Sequence, residues 1–246
     1  MLFENKVVLV TGGSSGLGFA IAEAFASQGA KLVITGRRQP QLDEAVKGLG
    51  ENASAVCADI SNPADLTELF SHISGVHGRI DVLIANAGTG EIEPLGAITE
   101  AGFDRLFTTN VKGTTFTVQG ALPLMGKGSS VIVIGSTASI NPGPGLSVYG
   151  ATKAALRSLV RSWILDIKGS GVRINLLSPG PVDTPSLRNV LGENAQEVID
   201  ALSEKSTLGR IGQAYEIGQA ALFLASNASS YINGAELFAD GGASQV

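Results

Sequence analysis

Short apolar runs alternate with longer helical patterns along this chain. The runs are rich in valine, isoleucine and leucine and are bounded by glycine or polar residues. Because their side chains alternate little between polar and apolar, they predict strands covered on both faces, as in a parallel sheet. The predicted strands are KVVLVT from Lys6, KLVIT from Lys31, SAVCA from Ser54, DVLIAN from Asp81, SVIVIG from Ser130, VRINLL from Val172 and AELFA from Ala235.

Helical patterns fill the segments between these runs. In the fifth of them, apolar residues recur at helical spacing from Leu156 to Ile167, so Trp163 is interpreted as packing in the core or against another subunit. Alternating strands and helices predict a doubly wound α/β sheet, and no linker or repeat divides residues 1–246 into further domains. The predicted helices are GFAIAEAFASQG, QLDEAVKGLG, PADLTELFSHISG, residues 100–122, YGATKAALRSLVRSWILDI and AYEIGQAALFLAS.

Composition excludes several classes of function. The 246 residues are 44% apolar and 16% charged, which excludes disorder, and the net charge of −5 argues against nucleic-acid and polybasic membrane surfaces. No apolar run approaches the ~20 residues of a membrane span, and Glu4 stands where a signal peptide carries positive charge, so a cytoplasmic protein is expected. Cys57 is the only cysteine, which excludes an internal disulfide and a cysteine metal site; we interpret it as a small buried hydrophobe.

A glycine-rich segment, TGGSSGLG, follows the first predicted strand and leads into a helix. Ligands of doubly wound sheets bind beyond the carboxyl ends of the strands. Glycine permits a tight turn and a close approach to pyrophosphate, and the helix N-terminus offers free N–H groups. The segment therefore predicts a dinucleotide site rather than an ordinary glycine-rich connection. Its candidate residues are Gly12, Ser14, Ser15, Gly16, Leu17 and Gly18.

Arg37 and Arg38 follow the second predicted strand, where an NAD site usually has an acidic residue for the ribose 2′-hydroxyl. Arginine can instead bind a 2′-phosphate in a forked arrangement. The pair therefore favours NADP(H) over NAD(H), although both arginines would also be ordinary as solvated loop charges.

Further candidates follow the third and fourth strands. Asp59 ends the third strand and is suited to accept a hydrogen bond from the adenine amino group, with Ile60 beside the ring. The alternative for Asp59 is a helix boundary. In the segment Asn86, Ala87 and Gly88, the asparagine is able simply to hold the sheet, while the glycine lets a cofactor come close.

Four polar residues are the candidates for catalysis. Tyr149 and Lys153 lie four residues apart and therefore share one face of a helix. Ser136 follows the fifth strand and is expected to face the same crevice. Asn110 falls inside a helical pattern, where asparagine is a poor helix former and indicates a polar task.

With these residues placed, the chain resembles the short-chain dehydrogenase/reductase family over essentially its whole length. The resemblance is carried by TGGSSGLG, DI, NAG, TNV, IGS, YGATK, SPGPVDT and the terminal DGG, in that order. It implies a single Rossmann-type domain with seven mainly parallel strands, whose cofactor half is about 1–135 and whose catalytic half is about 136–246. It also implies a homotetramer or homodimer. The implied site residues are the tetrad Asn110, Ser136, Tyr149 and Lys153, and Pro179, Gly180, Val182 and Thr184 along the nicotinamide and phosphates.

The expected reaction is hydride transfer between NADPH and a carbonyl carbon, with Tyr149 as acid in reduction and base in oxidation. A free tyrosine has a pKa near 10, and we expect Lys153 and the oxidised nicotinamide to lower it by favouring the phenolate. Ser136 would donate to the substrate oxygen, and Asn110 would hold a water that passes protons onward. This chemistry requires no metal.

Two segments are expected to shape the substrate site. Residues 183–212 separate the sixth strand from the last long helix without a strand of their own and fit a lid. Residues 137–145 form the opposite wall and favour a small or medium carbonyl compound of little charge.

Two alternative functions stay open. A 3-oxoacyl acyl-carrier-protein reductase would present basic residues near the entrance, for which Lys127, Lys168 and Arg173 are the candidates. A non-catalytic NADP-binding regulator would not need Tyr149 and Lys153 together.

Overall fold

The computed structural model of the chain describes the backbone of all 246 residues and every side chain except those of Ser186, Val190 and Glu193. All seven predicted strands are present in one sheet, in the order β3-β2-β1-β4-β5-β6-β9, and its pairings are parallel. The predicted doubly wound Rossmann-type fold is therefore confirmed. The strands are β1 Val7–Thr11, β2 Lys31–Gly36, β3 Ala53–Cys57, β4 Val82–Ala85, β5 Ser130–Ile134, β6 Arg173–Pro179 and β9 Glu236–Ala239.

Helices cover both faces of the sheet. They are α1 Gly16–Ser27, α2 Gln39–Leu49, α3 Pro63–His77, α4 Glu100–Phe107, α5 Thr114–Ala121, α6 Ser147–Asp166, α7 Pro185–Leu191, α8 Ala195–Lys205 and α9 Ala214–Ala225. Across the described residues, no helix has both the length and the apolar character needed to cross a bilayer.

Successive residues of the central strand point into two separate cores. In β1, Val8 and Val10 pack with α1, α2 and α9 on one face, whereas Leu9 packs with α3, α5 and α6 on the other. Burial on both faces explains why the central strands show little polar alternation. The edge strands β3 and β9 are only partly covered.

Cys57 lies at the end of the edge strand β3 and is exposed. The interpretation as a small buried hydrophobe is therefore wrong. An apolar run does not reveal whether its strand lies in the middle of a sheet or at its edge.

The predicted helix at residues 100–122 is interrupted. Between α4 and α5 the chain forms a π-helical segment, Thr108–Gly113, which contains Asn110. A Cβ added to Gly113 would lie 3.0 Å from the Ile60 side chain, so this segment packs tightly on the chain after β3. A wider turn of this kind is common at functional sites.

The predicted lid contains α7 and α8 and is closed at its base by two short strands. Val182–Asp183 (β7) pairs in parallel with Gly212–Gln213 (β8). The expectation of a segment without strands is wrong at these two ends, because two-residue strands leave no hydrophobic pattern. The three undescribed side chains also belong to this segment.

Candidate active site

The glycine loop packs closely on the loop after β4. Gly12 has φ +66°, and a Cβ there would lie 3.0 Å from the Ala87 Cα atom. A Cβ on Gly18 would lie only 2.2 Å from the Gly12 carbonyl oxygen. At Gly16, with φ +55°, a Cβ would meet nothing within 4 Å, so this part of the backbone faces open space.

The remaining residues of the loop have distinct surroundings. Ser15 precedes α1 without capping it through its side chain, so the helix N-terminus is available to an anion. Leu17 packs against the core, whereas the Ser14 hydroxyl lies 3.3 Å from the position of a Cβ on Gly36. Gly13 was not among the predicted residues, yet a Cβ there would lie 2.8 Å from Ile34.

Arg37 and Arg38 are exposed and follow Gly36, the last residue of β2, which lies beside the Ser14 hydroxyl. Arg38 is the residue before α2. Among the described side chains, neither guanidinium is paired with an acidic group. Both charges are therefore available to a ligand at the end of β2.

Asn86 joins the ends of β1 and β4. Its Nδ2 donates to the Thr11 carbonyl oxygen at 2.9 Å, and the Thr11 hydroxyl accepts from the backbone N–H groups of Asn86 and Ala87 at 3.0 Å each. The asparagine thus holds the sheet, which was one of its two interpretations. Thr11, which is fully buried, was missed because a threonine that ends a strand carries no distinct signal.

Asp59 lies two residues beyond the end of β3, not at the end itself. Its Oδ1 accepts from the backbone N–H and hydroxyl of Ser61, at 2.9 and 2.7 Å. Ile60 is 6% exposed and belongs to the core. Asn62, which accepts from Ala64 N–H, is the cap of α3, so Asp59 is not the helix boundary.

Tyr149 and Ser136 approach each other at the carboxyl end of β5. Ser136 follows that strand, and its hydroxyl accepts a hydrogen bond from Ala138 N–H at 3.1 Å. Burial raises the pKa of Tyr149 above its ordinary value, and hydrogen bonding to the Ser136 side chain opposes that rise. This direction is opposite to the expected lowering of the pKa.

The surroundings of Lys153 explain why the pKa of Tyr149 is not lowered. Its ammonium is buried and donates to the Ile134 carbonyl oxygen at 2.9 Å, while lying 5.7 Å from the centre of the Tyr149 ring. Burial lowers the pKa of Lys153 to about 8. Because neither group has a close opposite charge, burial shifts both pKa values toward the neutral forms, and a lysine with a pKa of about 8 is still mostly protonated at neutral pH.

Asn110 connects the loop after β4 with α6. Its Oδ1 accepts from Thr89 N–H at 2.8 Å, and its Nδ2 donates to the Thr89 carbonyl at 2.8 Å and to the Thr152 hydroxyl at 3.1 Å. Thr152 in turn donates to the Tyr149 carbonyl at 2.7 Å. The Asn110 side chain therefore fixes the helix that carries Tyr149. Sequence reasoning missed Thr152, whose only signal is a hydroxyl in an otherwise apolar helix.

Gly88 lies where these groups meet. A Cβ on Gly88 would lie 3.1 Å from Asn110 Oδ1 and 3.7 Å from Lys153 Nζ. The loop then passes over Tyr149, since a Cβ on Gly90 would contact the phenol ring at 3.6 Å. A side chain at Gly88 would therefore crowd Asn110 and Lys153.

The residues after β6 were also predicted to contact the cofactor. Pro179 ends β6, and a Cβ on Gly180 would lie 2.7 Å from the Asp240 side chain. Val182 is buried in the core, and the Thr184 hydroxyl accepts from Leu187 N–H at 3.2 Å to cap α7. The Val182 and Thr184 side chains are therefore engaged within the protein.

The comparisons with known proteins agree with this geometry. A family model described as "Enoyl-(Acyl carrier protein) reductase" matches residues 12–244. The chain is 44% identical over 244 residues to "Oxidoreductase asL5" of Sarocladium schorii, an alignment that covers 98% of this chain and 97% of that protein. It is 34% identical over 247 residues to the 3-oxoacyl-acyl-carrier-protein reductase FabG of Thermotoga maritima, with 98% and 99% covered. A crystal structure of a short-chain dehydrogenase/reductase from Brucella melitensis superimposes with a TM-score of 0.93 at 30% identity, covering 98% of both chains.

The chain belongs to the short-chain dehydrogenase/reductase family. Short-chain dehydrogenases/reductases are oxidoreductases that use NAD(H) or NADP(H) and act on small molecules. The glycine loop and the N-terminus of α1 fit such a dinucleotide, because the backbone at Gly16 faces open space and the Ser15 side chain does not cap the helix.

Proposed function

We propose that this protein is an NADPH-dependent reductase of small or medium ketones, and in the reverse direction an alcohol dehydrogenase. The observation that carries the proposal is that three polar groups lie close together: the Tyr149 phenol, the Ser136 hydroxyl and the buried Lys153 ammonium. They lie at the carboxyl ends of the strands, as the glycine loop does. A neutral phenol beside a hydroxyl donor is suited to receive a carbonyl oxygen on which negative charge develops.

NADPH, when bound, supplies the hydride for the carbonyl carbon. In the proposed mechanism, Ser136 donates a hydrogen bond to the carbonyl oxygen, and Tyr149 transfers its phenolic proton to that oxygen. The resulting phenolate has the Lys153 ammonium within reach, and a lysine with a pKa of about 8 exchanges protons readily near neutral pH. Asn110 acts by holding Thr89 and α6 in place, and its expected water remains part of the proposal.

The proposed cofactor residues follow the sequence prediction. Gly12, Gly16, Gly18 and the α1 N-terminus would hold the pyrophosphate, and Arg37 and Arg38 would bind the 2′-phosphate. Two exposed guanidinium groups at the end of β2, with no acidic partner among the side chains that the structure describes, support NADPH over NADH. The other proposed contacts are Ser14, Ser15, Leu17, Asp59, Ile60, Asn86, Ala87, Gly88, Tyr149, Lys153, Pro179, Gly180, Val182 and Thr184.

Reduction of 3-oxoacyl thioesters on acyl carrier protein is the second candidate, favoured by the likeness to the Thermotoga maritima reductase. One of the basic residues predicted to contact the carrier protein makes hydrogen bonds within the protein instead. The Arg173 guanidinium donates to the carbonyl oxygens of Leu224, Ser226 and Ile232. Lys127 and Lys168 then remain as exposed cations for an acidic carrier protein.

A substrate panel tests the proposal. Purified protein with NADPH is given simple ketones, 3-oxoacyl thioesters, 2-enoyl thioesters and sugars, and NADPH oxidation is followed at 340 nm. We expect turnover of neutral ketones. Activity confined to thioesters would replace the proposal with the second candidate, and tight NADPH binding without any turnover would favour a regulator.

Replacing Tyr149 with phenylalanine tests its role as the acid. Tyr149→Phe is expected to lower kcat by about 1,000-fold, because the proton donor is lost while the ring is kept. The dissociation constant for NADPH, measured by fluorescence titration, is expected to stay within about twofold. Tyr231→Phe is the matched control, since Tyr231 is fully exposed. Wild-type rates in Tyr149→Phe would remove this residue from the mechanism.

We also propose that the protein is a cytoplasmic homotetramer or homodimer. Large apolar side chains are exposed on α4, α5 and α6, which is consistent with subunit contacts through these helices. They are Phe103, Phe116 and Leu165.

A further inference from the structure

A mostly buried carboxylate is hydrogen-bonded to the turn that follows Ser136. Glu236, in the edge strand β9, has a side chain that is only 12% exposed. Its Oε1 accepts hydrogen bonds from the Ser178 hydroxyl at 2.7 Å and from the Ser139 hydroxyl at 3.3 Å. Its Oε2 lies 3.7 Å from the Arg157 guanidinium. None of these contacts is used by the proposed mechanism.

The three partners of Glu236 come from the three elements that surround the catalytic groups. Ser178 is in β6, immediately before Pro179, and Arg157 is one helical turn beyond Lys153 in α6. Ser139 ends the short 3₁₀ turn Thr137–Ser139, which begins at Ser136. One carboxylate therefore connects this turn to β6 and α6.

The turn transmits its position directly to Ser136. At its start, Ala138 N–H donates to the Ser136 hydroxyl, and Ser139 N–H donates to the Ser136 carbonyl at 3.0 Å. On its other side the turn is pressed against α6, since a Cβ on Gly150 would lie 2.6 Å from the Ala138 carbonyl oxygen. The turn is thus held between the helix of Tyr149 and the carboxylate of Glu236.

We propose that Glu236 is a positioning residue, which holds the turn Thr137–Ser139 through Ser139 and so keeps the Ser136 hydroxyl directed at Tyr149 and the substrate oxygen. The expected effect on kcat rests on the proposed reductase function. The expected effect on the position of the Ser136 hydroxyl does not. Buried carboxylates are expensive unless hydrogen-bonded, and here two hydroxyl donors and a guanidinium supply that compensation. A hydroxyl displaced by a fraction of an ångström loses much of its effect on the transition state.

Two serines of the network provide a matched pair of variants. Ser139→Ala and Ser178→Ala each remove one hydroxyl that donates to Glu236 Oε1, but only Ser139 belongs to the turn of Ser136. We expect Ser139→Ala to lower kcat about tenfold with the KM for NADPH unchanged, and Ser178→Ala to leave kcat within about twofold. Glu236→Ala is expected to act like Ser139→Ala, and Glu236→Gln, which keeps an acceptor oxygen, to restore most of kcat.

A spectroscopic measurement tests the same inference without turnover. The chain has three tyrosines, so tyrosine labelled with ¹³C at Cζ gives few signals, and Tyr149→Phe assigns the one of interest. Ser136→Ala defines the change in the Tyr149 Cζ shift when the Ser136 hydroxyl is absent. We expect Ser139→Ala to move this signal toward the Ser136→Ala position, and Ser178→Ala to leave it unchanged.

The outcomes separate the two proposals. If the wild type reduces no carbonyl compound, the proposed function fails, while the Cζ shifts still decide whether Glu236 positions Ser136. A wild-type Cζ shift in Ser139→Ala, or equal changes in Ser139→Ala and Ser178→Ala, would overturn the inference. If Glu236→Ala does not fold, the two serine variants decide it.

Discussion

Tyr149 and Lys153 occupy the same interior, and burial shifts their pKa values in opposite directions. The raised pKa of the phenol keeps it protonated, and the pKa of the ammonium is lowered to about 8, so Lys153 exchanges protons readily near neutral pH. A reductase needs its acid protonated before reaction and a proton source afterwards. In the proposed mechanism, burial thus prepares the site for reduction before any substrate is present.

The pKa of Lys153 predicts how stability depends on pH. In the folded chain it is about 8, below its ordinary value of 10.5. Between these values the unfolded chain binds more protons, so the free energy of unfolding rises with pH. From pH 7 to 9.5 the wild type is expected to gain about 2 kcal/mol relative to Lys153→Met, measured by urea unfolding without cofactor. A difference that does not change with pH would mean that Lys153 keeps an ordinary pKa.

Arg37 and Arg38 set the predicted cofactor preference. Replacing both with serine is expected to weaken NADPH binding about 100-fold and NADH binding less than about threefold, because only NADPH carries the 2′-phosphate. The double variant Lys31→Gln, Lys47→Gln is the control, since it removes the same charge from exposed positions at the opposite end of β2 and in α2. Both affinities are obtained by calorimetry. Equal losses for the two cofactors would contradict the assignment.

At the scale of elements, the regular strands and helices could be predicted, and the irregular ones could not. Burial on both faces leaves apolar runs such as Val7–Val10, and the sequence displays these directly. The π-helical turn at Asn110 leaves no such mark, because the flanking helices continue the same apolar pattern. The pairing of Val182 with Gly212 is equally invisible, since it depends on backbone contacts between distant residues.

The contact between α1 and the glycine loop predicts a difference between two glycines. Gly18→Ala is expected to lower the free energy of unfolding by about 2 kcal/mol, because its Cβ would lie 2.2 Å from the Gly12 carbonyl. Gly75→Ala in α3, where a Cβ meets nothing within 4 Å, is expected to raise it by about 0.5 kcal/mol. Chemical denaturation of the two variants measures both changes. A neutral effect at Gly18 would show that α1 shifts freely.

For the molecule as a whole, the order of the motifs predicted which residues lie near one another better than it predicted their interactions. Ser136, Tyr149 and Lys153 lie close together at the carboxyl end of β5, as their order in the sequence predicts, while their catalytic role stays a proposal. The order of the motifs did not show that Arg173 binds backbone carbonyls, nor that Glu236 accepts hydrogen bonds from Ser139 and Ser178. Such contacts join strands and loops far apart in sequence, and no local pattern records them.

The surface predicts self-association through α5 and its neighbours. Phe116 is 44% exposed and lines a groove of about 930 Å³ between α3 and α5, beside Phe70 and Leu124. An exposed apolar groove of this kind is typical of an interaction surface. Phe116→Glu is therefore expected to shift the protein to a smaller species in light scattering coupled to size-exclusion chromatography.

Leu2→Glu is the control, because Leu2 is 64% exposed and lies at the N-terminus, outside these helices. A wild-type protein that is monomeric at micromolar concentration would contradict the prediction, and an unchanged mass of Phe116→Glu would place the subunit contact on another face.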